Sequence, residues 1–172
     1  MRLLAFLIVA AVLAFGGWIL AGGLDIAADS PHSWPVFEAI AFARERSIDA
    51  HARHVTVPQL GSLEQLQLGG AHYKEMCDGC HLGPGVPDND FRKGLYPQPP
   101  DFSKEPIDDP AEAFWVIKHG LKMTGMPAWG LSHDDKTLWA IVAFVQQLPS
   151  MTPEQYQKIG AAPDAGHDHA AH

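Results

Sequence analysis

Residues 77–81 read Cys77-Asp78-Gly79-Cys80-His81, and both cysteines of the chain lie in this pentapeptide. A C-x-x-C-H run reads as c-type haem attachment. Two thiols at this spacing at a helix end can each add to one vinyl group of a haem, and the following histidine projects toward the iron. Competing readings lack partners. A zinc site needs two further soft ligands, and the chain has no third cysteine. A thioredoxin-like dithiol wants a βαβ context, and no stretch here alternates convincingly as a strand.

A haem held by His81 needs a sixth ligand well downstream, a Met or a His. The stretch Lys122-Met123-Thr124-Gly125-Met126-Pro127-Ala128-Trp129-Gly130 offers Met123 and Met126. Met126 stands between Gly125 and Pro127, too tight for helix, and such a loop presents a thioether with little entropy left to lose. Met126 is therefore the expected ligand. Met123 is read as core, as is Met76 beside the attachment motif. His119 and His133 are the rival imidazoles, read as solvated. The Nδ1–H of His81 needs an acceptor, and a carbonyl of Pro84, Pro99 or Pro100 can supply it. Tyr73, Phe102, Phe114, Trp115, Trp129 and Phe144 are candidate walls that keep the ring dry.

Three helices frame these motifs. Ser62-Leu63-Glu64-Gln65 is a capping-box pattern, and Leu66, Gly70, Tyr73 and Cys77 continue one face. Asp109-Pro110-Ala111-Glu112 begins the second, with Phe114, Trp115 and Ile117 on its apolar face and Gly120 as its stop. Ser132-His133-Asp134-Asp135 opens the third, whose stripe runs Leu138, Ile141, Val142, Val145 and Leu148 up to Pro149. Residues 82–108 are rich in Pro, Gly and Asp without periodicity, unusual for a compact domain unless the segment wraps something.

Upstream, Leu3 to Leu20 carries no charge and spans about 27 Å as helix, which matches a bilayer core. That length favours a retained anchor over a cleaved signal, although Ile19-Leu20-Ala21 resembles a signal-peptidase site. Arg2 before the span, and Asp25 and Asp29 after it, export everything that follows. The expected division is an anchor at 1–24, a connector at 25–61, the haem domain at 62–150 and an extension at 151–172. Within the connector, Ser33-Trp34-Pro35 looks like a helix start, and Phe37, Ile40, Ala41, Arg44 and Ile48 recur at helical spacing. That helix is expected to lie on the domain or the membrane surface; docking to a membrane partner is the sharper alternative. His167, His169 and His172 are read as part of a solvated, disordered tail, not a metal site.

Composition agrees. The 172 residues, 18.7 kDa, suit one domain with appendages. Apolar residues at 47% and charged residues at 19% exclude a disordered chain. A net charge of -8 argues against nucleic-acid binding. Fourteen prolines and 16 glycines point to a loop-rich domain.

From residues 62 to 149 the chain resembles a membrane-anchored class I c-type cytochrome with one haem and His/Met ligation. The carriers are Cys77-Asp78-Gly79-Cys80-His81, Gly69 or Gly70 with Tyr73, Pro100-Asp101-Phe102 in place of the family's Pro-x-Leu element, and Met126-Pro127. The resemblance implies an all-α class I cytochrome c fold, three to five helices wrapped around one covalently bound haem c with its iron. It implies that the first helix crosses a last helix bearing Trp139 and Phe144. It also implies that a carbonyl of the Pro-x-Leu element, here Pro100, accepts from His81. The expected activity is one-electron transfer at the periplasmic face of a bacterial inner membrane. The expected partners are membrane-bound redox proteins, with the bilayer met through the first helix. The chain is expected to be a carrier, or a subunit of a redox complex, and not itself an enzyme. The alternative is a haem peroxidase or small-molecule sensor with a displaceable sixth ligand. The acidic run Glu105 to Glu112 is read as a solvated loop and helix cap, with partner contact as its alternative.

Overall fold

The apolar run near the N-terminus forms α1 (Arg2–Leu20), none of whose residues is buried. Its 19 residues extend about 28 Å, long enough to cross a hydrocarbon layer. The computed structural model describes residues 1–159, so His167, His169 and His172 lie outside the described residues. Met1–His32 forms one compact unit and a second begins at Ser33. The helix of the expected connector thus belongs to the same unit as the attachment motif.

The second unit is helical, and no strand occurs among the described residues. Ser33 precedes α2 (Trp34–Ala52), with Pro35 in the first turn where a missing N–H costs nothing. Only Ile48 and Ala52 of α2 are buried, while Trp34 is 75% and Phe42 68% exposed. Ser62 caps α3 (Leu63–Met76) through the expected reciprocal pair with Gln65. After α3 come two single turns, α4 (Asp78–His81) and α5 (Asp90–Lys93), the second inside the stretch that shows no periodicity. Asp109 caps α6 (Pro110–His119), and Gly120 ends it at φ 65. Asp134 caps α7 (Asp135–Val145). The expected helix to Pro149 stops at Val145, and Leu148–Ser150 forms a separate 3₁₀ turn.

The principal packing is α3 across α7. Gly69 makes the crossing possible, because a Cβ there would overlap the Ala140 carbonyl. Gly70 faces Phe144 and Ile159 instead. Tyr73 meets the Phe144 ring at 5.5 Å, as the resemblance implied. Trp139 does not join them; its ring stacks at 4.1 Å on Phe114 of α6. Every residue of α7 from Leu138 to Val145 is buried, the pattern of a central helix with no solvent face.

A further helix, α8 (Pro153–Lys158), closes the core from the C-terminal side and has no counterpart in the sequence expectations. Its signal was present: Thr152 and Gln155 form a complete capping box. Tyr156 is 1% exposed, reaches Asp78 Oδ2 with its hydroxyl at 3.3 Å, and fills the space over Gly83.

Candidate haem site

The site starts where α3 runs out. Cys77 is the C-cap of α3, and its carbonyl accepts from Cys80 N at 3.0 Å and His81 N at 2.8 Å. This one turn brings both thiols and the imidazole together. Leu82 then turns back at φ 56, in the left-handed region, and is 4% exposed. A non-glycine residue there stores strain. Tyr73 holds it, donating its buried hydroxyl to the Leu82 carbonyl at 2.6 Å. Burial pushes the Cys77 thiol up to about 12, with the Asp78 charge adding to the rise.

His81 is gripped by residues 100–102. Its Nδ1 lies 3.0 Å from the Pro100 carbonyl. A carbonyl only accepts, so Nδ1 carries the proton and Nε2 keeps its lone pair for a metal. Of the three candidate acceptors, Pro100 is the one in place. The His81 carbonyl accepts from Phe102 N at 3.2 Å, and the Phe102 ring stacks on the imidazole at 4.6 Å. Burial lowers the His81 pKa, the Pro100 bond opposes the fall, and the Arg92 charge adds to it.

Sequence reading missed the support beneath this grip. Asn89 caps α5 by accepting from Arg92 N and donates from Nδ2 to the Gly79 carbonyl at 2.9 Å. Arg92 donates from Nε to the Cys80 carbonyl at 2.9 Å and from Nη2 to the Pro99 carbonyl at 2.7 Å. A one-turn helix leaves its last carbonyls unpaired, and these two side chains satisfy two of them. Asn89 was readable as a cap residue; the burial of Arg92, at 8% exposed, was not.

Met126 reaches the site on an irregular segment. Thr124 Oγ1 donates to the Leu121 carbonyl at 2.8 Å and accepts from Met126 N at 3.0 Å, while Leu121 N donates to the Met126 carbonyl at 3.2 Å. A Cβ on Gly120 would come within 2.8 Å of the Met126 carbonyl, and one on Gly125 within 2.9 Å of Leu95. Met123 is not core. It sits at φ 61 and is 97% exposed, because the 121–124 turn carries it outward.

These parts meet in one cavity of about 640 Å³. That volume falls within the roughly 300–1,000 Å³ typical of cofactor pockets. Cys77, Cys80, His81 and Met126 all line it, as do the expected walls Tyr73, Phe102 and Trp129. The other three expected walls are absent from the lining. Phe114 is committed to Trp139, Phe144 lies between Tyr73 and Tyr156, and Trp115 stacks on His51 of α2. Neither His119 nor His133 lines the cavity. His119 is exposed beside Trp115, and His133 pairs with Ser132 Oγ at 2.9 Å. Met76 lines the cavity and packs against the core.

The connector helix supplies an unexpected side of the cavity through Phe37, Arg44, Glu45 and Ile48. Glu105, Asp108, Asp109 and Glu112 also line it, so the acidic run borders the site as well as capping α6 through Asp109. Burial raises the Glu112 pKa, and the negative charges of Asp109, Asp49, Glu45 and Asp108 raise it further.

Two thiols and a metal-competent imidazole on one turn, facing an apolar cavity with a thioether in its lining, fit a covalently bound haem. Residues 64–145 match the family model described as cytochrome C oxidase, cbb3-type, subunit III. No curated protein and no solved structure gives a significant match. Residues 64–145 are thus a c-type cytochrome domain, and the helical, strand-free architecture of the described residues fits a class I cytochrome fold. The domain's prosthetic group is haem c with its iron, and its chemistry is haem-based electron transfer.

Proposed function

We propose that the chain is a one-electron carrier tethered to the periplasmic face of a bacterial inner membrane, in which His81 and Met126 would hold the haem iron. The observation that carries this reading is the shared cavity: the attachment turn, His81 and Met126 arrive from separate segments and line one space. When bound, the haem supplies the chemistry, gaining and losing one electron at an iron whose potential a thioether ligand raises. Cys77 and Cys80 hold it covalently. Pro100 fixes the imidazole, Thr124 fixes the loop of Met126, and Tyr73, Phe102 and Trp129 exclude water.

The tether is α1, within residues 1–24, followed by a connector at 25–61, the cytochrome domain at 62–150 and an extension at 151–172. The exposed apolar start of α2, with Trp34, Val36, Ile40 and Phe42, supports contact with a bilayer surface. Tethering raises the effective concentration near a membrane-bound redox enzyme, the partner class we propose. The acidic residues bordering the cavity favour a partner with a basic patch and a salt-sensitive encounter.

Spectroelectrochemical titration of membranes from a maturation-competent strain tests this. The expected result is membrane-retained, low-spin haem with a weak Met–iron charge-transfer band. High-spin iron that binds carbon monoxide readily replaces the carrier with a peroxidase or sensor. Haem protein recovered entirely in the soluble fraction removes the tether.

A further inference from the structure

We propose that Arg92 is a positioning residue for the His81 side of the haem, and that its buried charge raises the reduction potential of the iron. The inference rests on His81 being an axial ligand, as proposed above.

The geometry comes first. One guanidinium ties two segments that sequence alone leaves unconnected. Nε holds the Cys80 carbonyl, one residue before His81, and Nη2 holds the Pro99 carbonyl, one residue before Pro100. Cys80 and Pro99 are thus bridged by a single rigid plane, next to the 3.0 Å contact between His81 Nδ1 and the Pro100 carbonyl. A planar group with donors in fixed directions transmits position in a way that a lysine ammonium cannot.

The charge comes second. Arg92 is buried and lines the cavity, and its guanidinium brings a positive charge there. Its acidic neighbour Asp88 stands at 3.5 Å with 42% of its side chain exposed, a weak counter-charge. Asp101, the carboxylate nearest Pro100 in sequence, is held by Lys104 at 2.7 Å. A poorly neutralised cation beside the cavity disfavours the more positive ferric state and favours the ferrous one.

The two effects separate in holo Arg92→Lys and Arg92→Gln protein, each read by midpoint potential and by exchange of the His81 Nδ1 proton in the ferrous state. Arg92→Gln should lower the potential and speed the exchange severalfold. Arg92→Lys should keep most of the potential yet still exchange faster, because the charge survives and the two-carbonyl bridge does not. If Arg92→Gln matches wild type in both readouts, the proposal is overturned. If Arg92→Lys falls in potential as far as Arg92→Gln, the charge role is overturned. Should Arg92→Gln fail to accumulate with haem, Asp88→Asn serves: it leaves the bridge intact and should raise the potential, and an unchanged value overturns the charge role. Wild-type protein whose spectrum lacks histidine ligation overturns the axial assignment itself, a failure distinct from any behaviour of the variants.

Discussion

The two sides of the cavity are built on different principles. His81 sits on a helical turn held by the Pro100 carbonyl and by the N–H and ring of Phe102, with Asn89 and Arg92 bracing the turn. Met126 sits on an irregular loop whose main support is one threonine hydroxyl and the tight approach of two glycines. The His81 side carries redundant contacts, so loss of one leaves the others. The Met126 side carries few, so each matters more to whether the thioether stays in place. For the ligand pair proposed above, this difference predicts that His81 is held firmly and that Met126 is displaced by smaller energetic changes.

The contrast can be broken from its common foundation. Gly69→Ala drives a methyl into the Ala140 carbonyl, at the α3–α7 crossing that supports both sides. Backbone leaves little room to yield, so a loss of about 3 kcal/mol or more is expected, seen as a lower midpoint in denaturant unfolding of the holo protein. Met126→Ala breaks one side alone. The haem should stay covalently attached, while the iron turns high-spin, binds carbon monoxide and drops in potential by on the order of 0.1 V or more. A Met126→Ala protein with the wild-type spectrum would remove Met126 as ligand.

Smaller changes sharpen the comparison. Thr124→Val removes the hydroxyl that bridges the Leu121 carbonyl and Met126 N, at a cost of about 1–2 kcal/mol confined to the loop. Cyanide or imidazole should then displace the sixth ligand several times faster, while global unfolding shifts little. The smallest effect is expected at Asp101, beside Pro100. Burial raises its pKa, but donors from Lys104 and Ser103 more than offset this and leave it below the ordinary value. A carboxyl with a depressed folded pKa adds stability that is complete above its unfolded value of about 3.9 and is lost as pH falls through the folded value. Asp101→Asn should therefore lose about 1 kcal/mol at neutral pH and show a flatter decline in thermal stability on acidification.

Legibility followed the same divide. The helix starts at Ser62 and Asp109 were readable because a cap and its partner lie within three residues of each other, and the one at Ser33 because Pro35 falls in the first turn. The missed α5 is one turn long and has no period to detect. The missed α8 had a readable cap at Thr152, but six residues give too short a stripe to announce a core helix. Phe114, Trp115 and Phe144 have the composition of cavity walls yet face other partners, since a helix of aromatic residues does not say which neighbour each ring meets. Met123 and Met126 are three residues apart, and which of them points inward depended on a turn closed by Thr124.

Local chemistry therefore settled the cofactor class: the pentapeptide at 77–81 needs no distant residue to be read. It also settled the helix starts, because caps act over a single turn. Tertiary packing decided which of three prolines serves His81, that Arg92 is buried between Cys80 and Pro99, and that α2 lines the cavity. Those contacts join residues at no regular spacing across loops and separate helices, so no local pattern announces them.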